Sequence, residues 1–206
     1  MLYDITRSIT PSMAVWPGDT SYSHRWLGRL EHGDSVNLAT ITLSIHTGTH
    51  VDAPLHFLPD APTIAEVDLD NYIGVARVVE IDATGALAPD HFAHVDFTGV
   101  ERLLIKTPGS RRGDEEWWDE YAWLSVEAAN LLVHKGLRLF GTDSPSVDEV
   151  NSKTLDAHKV LGRGNVLILE NIQLGAVAPG DYELIALPLK LPVEGSPVRA
   201  ILRAIG

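Results

Sequence analysis

Cysteine is absent from the 206-residue sequence. Without thiols the chain can form no disulfide and offers no thiolate nucleophile, and it can hold neither an iron–sulfur cluster nor a zinc site of the cysteine type. Any bound metal must therefore be held by histidine, aspartate or glutamate. Nine histidines and 28 acidic residues make such ligands plentiful.

Positive charge and long apolar runs are also scarce. The 16 lysines and arginines face 28 acidic residues, giving a formal charge of −12, which is the wrong sign for a surface that binds phosphates or an anionic membrane. Apolar runs such as 166–169 end after a few residues, whereas a membrane-spanning helix needs about 20. Asp4 and Arg7 interrupt what would be the apolar part of a signal peptide. We therefore expect a cytoplasmic protein without nucleic-acid or membrane partners.

A single domain over residues 1–206 is the simplest organisation, since no repeat, low-complexity tract or linker divides the sequence. A helix is predicted at 126–135 behind the N-cap residue Ser125, and a second helix at 153–161. The segments predicted as strands are 2–6, 40–46, 75–81, 102–106, 137–140, 166–169, 182–187 and 198–203. Because strands outnumber helices, the sequence predicts an α/β fold rich in strands, with flanking helices.

Four potential metal ligands follow one another closely in H-T-G-T-H-V-D-A-P-L-H. Residues 40–46 alternate polar and apolar side chains, which predicts a half-buried strand. Continuing this period of two places His46, His50 and Asp52 on the same side, with His56 next after a turn. Any one of these histidines could be an ordinary polar residue on a solvated strand. Four potential ligands together, in a chain without cysteine, favour a metal site suited to zinc or manganese.

Further ligands must come from distant segments, because two imidazoles and one carboxylate rarely complete a metal site. Glu170 follows the predicted strand at 166–169, and His158 lies on the helix before it. Taken alone, either residue would be an ordinary surface side chain. Both are candidates because each flanks a predicted strand of the same sheet.

The segment 46–57, H-T-G-T-H-V-D-A-P-L-H-F, resembles the signature of the cyclase family of metal-dependent hydrolases. Further similarity lies in V-W-P-G-D at 15–19, G-T-D-S-P-S-V-D at 141–148, L-D-A-H-K-V-L at 155–161 and L-I-L-E-N at 167–171. These segments are similar to the formamidase branch of the family, whose bacterial members act on N-formyl-L-kynurenine. The resemblance implies a swivelling β/β/α fold and a homodimer.

The resemblance also implies a pair of zinc ions and their ligands. His46, His50 and Asp52 would bind one ion. Asp52 and Glu170 would reach both ions, and His158 would join them at the second. Manganese is the alternative metal.

The same resemblance assigns His56 as the acid/base and Trp16 as a substrate contact. Trp16 could also be a turn residue that packs on the core. Residues 111–123, with Trp117 and Trp118, match no pattern of the family and are expected to form a variable loop. The implied reaction is the hydrolysis of N-formyl-L-kynurenine to L-kynurenine and formate in tryptophan degradation.

Two alternatives to this reaction stay open. Another cyclase-family hydrolase, opening isatin or a lactone, would keep the same metal ligands and differ around the ring pocket. A metal-stabilised binding protein without turnover would have no obvious need for His56, so the presence of that residue favours an enzyme.

Overall fold

The structure, a computed structural model, describes residues 1–205. Its strands in chain order are β1 (Leu2–Asp4), β2 (Ser23–Gly28), β3 (Leu38–Thr42), β4 (His50–Asp52), β5 (Ile73–Glu80), β6 (Gly85–Leu87), β7 (Arg102–Lys106), β8 (Ala122–Leu124), β9 (Leu139–Thr142), β10 (Leu167–Glu170), β11 (Gly180–Ile185), β12 (Gly195–Pro197) and β13 (Ile201–Ala204). The α-helices in this range are α1 (Val126–His134) and α2 (Asp156–Arg163). Short 3-10 helices occupy Leu30–His32, Pro54–His56, Ile64–Glu66, Leu69–Asn71, Pro89–Phe92 and Pro108–Arg111.

Nine of these strands form one mixed sheet in the order β1-β13-β11-β5-β7-β9-β10-β4-β12. Pairing is parallel from β5 through β7 and β9 to β10, and it is antiparallel elsewhere in this sheet. Two separate two-stranded sheets pair β2 with β3 and β6 with β8. The predicted α/β fold rich in strands is confirmed.

Apolar clusters lie on both faces of the large sheet. Leu103 and Leu104, neighbours on β7, belong to different apolar clusters, because successive side chains of a strand point to opposite faces. Leu132 of α1 and Leu161 of α2 pack into one cluster. The other cluster is completed by side chains from loops and short helices, such as Ile64. The sheet is therefore the frame that holds the strands and loops of the candidate site.

The starts of the two helices are set by a side-chain cap in α1 and by a backbone conformation in α2. The Ser125 side chain accepts a hydrogen bond from the backbone N–H of Ala128 at 3.1 Å, which confirms the predicted N-cap of α1. The second helix begins at Asp156 and not at residue 153, because Leu155 has a left-handed backbone conformation with φ of 50°. Within residues 1–205, no helix combines the length and the apolar composition that crossing a membrane requires.

The predicted strand at 40–46 is wrong in extent and in burial. β3 ends at Thr42 and pairs with β2, and residues 45–49 form a turn. Ile41, expected on a buried face, is 59% exposed. The observed strand β3 keeps the alternation of the sequence as far as Thr42. Within residues 1–205, no segment covers the face of β3 that carries Ile41.

Candidate metal centre

The candidate metal centre lies where β4, β10 and α2 meet. On β4, His50 and Asp52 point to one side of the strand, and Val51 between them packs into the core. Glu170 of β10 pairs with His50, and directly paired residues share a face of the sheet. His158 reaches the same place from α2. All four of these polar side chains are buried.

His46 reaches the centre through a turn and not along a continuous strand. Gly48 in this turn has φ of 68°, a conformation that glycine adopts without steric cost, and its carbonyl oxygen lies 2.8 Å from Nδ1 of His50. The turn places Nδ1 of His46 3.0 Å from Oδ1 of Asp52. The three side chains do meet, and His50 and Asp52 share one side of a strand as predicted. The prediction that this strand continues back to His46 is wrong, because residues 45–49 form a turn.

Two buried carboxylates share the same two imidazoles. Nε2 of His50 lies 3.4 Å from Oδ1 of Asp52 and 3.3 Å from Oε2 of Glu170. Nε2 of His158 lies 3.4 Å from Oδ2 of Asp52 and 3.5 Å from Oε1 of Glu170. Asp52 and Glu170 therefore lie together at the middle of the cluster, each in contact with both rings.

Several buried polar atoms at this centre have no hydrogen-bond partner. They are Nε2 of His46, Nε2 of His50 and both carboxylate oxygens of Asp52. Leaving such atoms unpaired costs free energy, and a divalent cation would satisfy them. The possible ligand atoms fall into two groups within 4.8 Å, one of His50, Asp52 and Glu170 and one of His46, Asp52 and His56. The side chains present therefore fit divalent metal binding, with Asp52 common to both groups.

Burial and charge act against each other on the ionisable groups of the centre. Burial lowers the pKa of His50, but the carboxylates of Asp52 and Glu170 outweigh burial and raise this pKa to about 10. Burial raises the pKa of Asp52, and contacts with the surrounding histidines outweigh it and hold the pKa well below its usual value. The carboxylates raise the pKa of His158 as well, so protons on His50 and His158 compensate the buried carboxylates when no cation is bound. A divalent metal would displace those protons.

His56 lies against the same cluster of histidines. It ends the 3-10 helix Pro54–His56, and its ring centroid is 4.1 Å from that of His46 and 6.0 Å from that of His158. Burial lowers the pKa of His56 below its usual value of 6.5. The imidazole is therefore neutral at pH 7, with one nitrogen able to accept a proton.

Asp148 is a site residue that the sequence analysis missed. Its Oδ2 accepts a hydrogen bond from Nδ1 of His158 at 2.6 Å, which leaves Nε2 of that ring directed at the carboxylate pair. The same carboxylate accepts hydrogen bonds from the backbone N–H groups of Ala157 and His158, at 2.9 and 3.0 Å, where α2 begins. A carboxylate behind a metal-binding histidine is a common way of orienting the ring. Asp148 ends the motif at 141–148, but sequence spacing alone shows no contact with His158.

A cavity of about 400 Å³ adjoins the centre. Trp16, predicted to contact the substrate, lines this cavity together with Trp117 and Trp118. The rings of Trp16 and Trp117 meet edge to face, with centroids 5.1 Å apart and planes at 77°. Residues 111–123, expected to form a variable loop, therefore supply a second aromatic wall that the sequence analysis did not assign.

Arg7 holds the two aromatic segments together. Its buried guanidinium donates hydrogen bonds to Oδ1 of Asp114 at 2.6 Å and to the carbonyl oxygen of Gly109 at 3.2 Å. The backbone N–H of Ala14 donates to the carbonyl oxygen of Asp114 at 2.8 Å. The segment that leads to Trp16 is thus fixed to the segment that leads to Trp117.

The sequence and the fold are similar to those of known proteins. The Cyclase family model matches residues 3–149. A kynurenine formamidase of Bacillus cereus is 42% identical over 203 residues, which span 98% of this chain and 97% of the relative. A solved structure from Bacillus stearothermophilus, described as a "predicted metal-dependent hydrolase", has a TM-score of 0.84 at 26% identity, over 98% of this chain and 97% of that one. Isatin hydrolase A from Labrenzia aggregata, solved with benzyl benzoate, has a TM-score of 0.82 at 22% identity, over 98% and 93%, and this likeness shows the fold alone.

Replacing Asp148 tests whether it orients His158. The Asp148→Asn variant loses the charge-assisted hydrogen bond to Nδ1, so we expect its affinity for divalent metal to fall about 10- to 100-fold, measured by competition with a chelator. Asp156→Asn is the matched control, since this carboxylate at the start of α2 bonds to Thr154 and is exposed. Wild-type affinity in Asp148→Asn would show that the ring is held without this contact.

Proposed function

The chain belongs to the cyclase family and, within it, to the branch of the bacterial kynurenine formamidases, and from this premise we propose that it hydrolyses N-formyl-L-kynurenine to L-kynurenine and formate. One observation carries the proposal: four of the five candidate ligands line the same cavity of about 400 Å³ as His56 and the pair Trp16 and Trp117. The four are His46, His50, His158 and Glu170. An aryl formamide presents a carbonyl group to one part of such a cavity and a flat ring to the other.

A pair of divalent ions, zinc or alternatively manganese, is the proposed cofactor. His46, His50 and Asp52 would hold one ion. Asp52 would also reach the second ion, with Glu170 and His158. When bound, the ions polarise the formyl carbonyl and lower the pKa of water toward neutrality. The unpartnered buried atoms of His46, His50 and Asp52 support the proposal.

His56 moves the proton in the proposed reaction. Burial lowers its pKa, so the ring begins neutral and can accept a proton from the attacking water. It then donates this proton to the anilide nitrogen as the C–N bond breaks, which releases the amine and formate. No side-chain nucleophile is needed, in keeping with a chain that contains no cysteine.

Trp16 and Trp117 would hold the aryl ring of the substrate. Both indoles border the cavity, and each offers a flat apolar surface on which an aromatic ring can pack. Hydrolytic chemistry at the centre would accept many carbonyl compounds. Selection of an anilide must then come from these walls.

Further parts of the same proposal concern the setting of the reaction. We propose a cytoplasmic homodimer of one domain over residues 1–206, acting on a small molecule in tryptophan degradation. The two apolar clusters on the two faces of one sheet support the single domain. The net charge of −12 disfavours nucleic acid and anionic membranes as partners.

Substrate and metal can be tested together on the purified protein. We expect about two divalent ions per chain by elemental analysis and loss of hydrolysis on chelation. N-formyl-L-kynurenine should have a much higher kcat/KM than an aliphatic formamide, isatin or a simple lactone. Faster opening of isatin or a lactone would overturn the substrate assignment and leave a hydrolase, and bound metal without turnover would indicate a binding protein.

The two indoles can be tested by truncation. Trp16→Ala and Trp117→Ala should each lower kcat/KM for N-formyl-L-kynurenine by an amount equivalent to roughly 1–3 kcal/mol of transition-state binding. Metal content should stay unchanged, and the slow hydrolysis of an aliphatic formamide serves as the control because it uses no ring contact. A variant with unaltered kcat/KM would leave that tryptophan a structural residue.

The role of His56 can be separated from metal binding. His56→Ala should retain the metal while the rate falls roughly 10²- to 10⁴-fold, because general acid–base catalysis is lost. The exposed His134 provides the control variant His134→Ala, which should keep both. Loss of metal in step with activity would make His56 a ligand, as its grouping with His46 and Asp52 permits.

A further inference from the structure

The cavity beside the metal centre is bordered by charged side chains as well as by aromatic rings. Trp16 and Trp117 line it as half-buried residues. Three charged residues that also line it are exposed, and they are called the charged rim below: Asp19, Glu116 and Lys153. A ligand that fills the cavity therefore meets the centre at one end, aromatic rings along its length and charges of both signs at the mouth.

Lys153 lies at the outer end of the segment that carries His158 into the centre. Exposure rises along this wall, since His158 is 2% exposed, Leu155 is half-buried and Lys153 is exposed. Hydrogen bonds fix the backbone around Lys153. The N–H of Leu155 donates to Oγ of Ser152 at 3.0 Å, and the N–H of Ser152 donates to the carbonyl oxygen of Glu149 at 2.9 Å. The lysine is thus held at the mouth by its backbone, on a long side chain that can turn toward a ligand.

The ammonium group of Lys153 has no acidic partner. Within residues 1–205, the other lysine or arginine that lines the cavity is Arg7, whose guanidinium pairs with Asp114 at 2.6 Å. Lys153 forms no ion pair with any acid of this range, although the chain has 28 acidic residues against 16 basic ones. Its positive charge is therefore available to an anionic group of a ligand.

Glu116 is the matching negative charge, on the wall that Trp117 forms. In the described part of the chain its carboxylate makes no ion pair with a basic side chain. The other acid of the charged rim, Asp19, already accepts a hydrogen bond from Oγ of Ser44 at 2.9 Å. Glu116 is therefore the rim carboxylate that a cationic group can pair with at the lowest cost.

We propose that the charged rim binds the amino-acid group of the substrate, with Lys153 pairing with the α-carboxylate and Glu116 with the α-ammonium. This inference rests on the proposed hydrolysis of N-formyl-L-kynurenine, and it adds the residues that recognise the end of the molecule away from the formyl group. In this substrate the amino-acid chain leaves the ring at the carbon next to the one that bears the formamide nitrogen. The formyl group can then enter the centre while the zwitterion stays at the mouth.

The charged rim supplies a selectivity that the rest of the cavity lacks. The centre accepts a carbonyl group and the indoles accept a ring, but neither distinguishes an amino acid from an uncharged ketone. An exposed ion pair contributes little, and its contribution grows as the bound ligand displaces water. Because these contacts are remote from the breaking bond, they stabilise substrate and transition state alike. Their loss should therefore raise KM and leave kcat nearly unchanged.

A substrate without the amino-acid group gives the first test of Lys153. N-formyl-2-aminoacetophenone keeps the aryl formamide and the ketone but carries neither charge. In the metal-loaded enzyme, Lys153→Gln should lower kcat/KM for N-formyl-L-kynurenine about 5- to 30-fold, through KM, and should change it by less than about twofold for the uncharged analogue. Lys153→Arg, which keeps the charge, should restore most of the loss. Lys190→Gln removes the same charge from an exposed site outside the cavity and should alter neither substrate.

The outcomes separate this inference from the proposed reaction. An unchanged kcat/KM for N-formyl-L-kynurenine in Lys153→Gln, or an equal fall for both substrates, would overturn the role of Lys153 while the hydrolysis itself stood. Failure of the wild type to hydrolyse either substrate would instead overturn the proposed function, and the inference with it.

A crossed experiment assigns the two charges separately. The decarboxylated analogue of N-formyl-L-kynurenine keeps the ammonium, and the deaminated analogue keeps the carboxylate. Glu116→Gln should raise KM for the decarboxylated analogue alone, and Lys153→Gln should raise it for the deaminated analogue alone. The control is Glu115→Gln, since this neighbouring exposed carboxylate bonds to Oγ of Ser12 and lies outside the cavity lining. Variants that respond equally to both analogues would contradict the assignment.

Discussion

The pairing of β4 with β10 and β12 is the constraint on which the candidate centre depends. It places His50 opposite Glu170 and leaves Val51 fully buried in the core. A slip of one residue would turn His50 and Asp52 into the apolar core and Val51 toward the polar cluster. Both errors are costly, because unpaired charge in a core costs several kcal/mol. Hydrophobic packing and ionic pairing therefore select the same register.

The electrostatics of the centre extend beyond the residues that could touch a metal. Asp148 fixes one nitrogen of His158, and the other nitrogen contacts both Asp52 and Glu170. Glu170 in turn accepts a hydrogen bond from the N–H of Val147 at 2.8 Å. The loop before α2 thus supports a ring and a carboxylate at once, so a change there would disturb the centre without removing any candidate ligand.

Sequence reasoning succeeded where the determining interaction is local. The strand at 102–106 and the N-cap Ser125 were predicted from neighbouring residues alone. It failed where distant segments decide the geometry, because alternation continued past Thr42 cannot reveal the turn that carries His46. Asp148 and Trp117 went unassigned for the same reason. The segment that carries Trp117 is positioned by a contact between Arg7 and Asp114, which lie 107 residues apart in the sequence.

The error at 40–46 has a physical origin of a different kind. An alternating pattern shows which side chains share a face of a strand, whereas burial depends on what packs against that face. Ile41 and Thr40 alternate as a half-buried strand requires, although both are exposed in one copy. Alternation therefore gives the period of the strand correctly as far as Thr42, but it does not tell whether another segment packs on the face that carries Ile41.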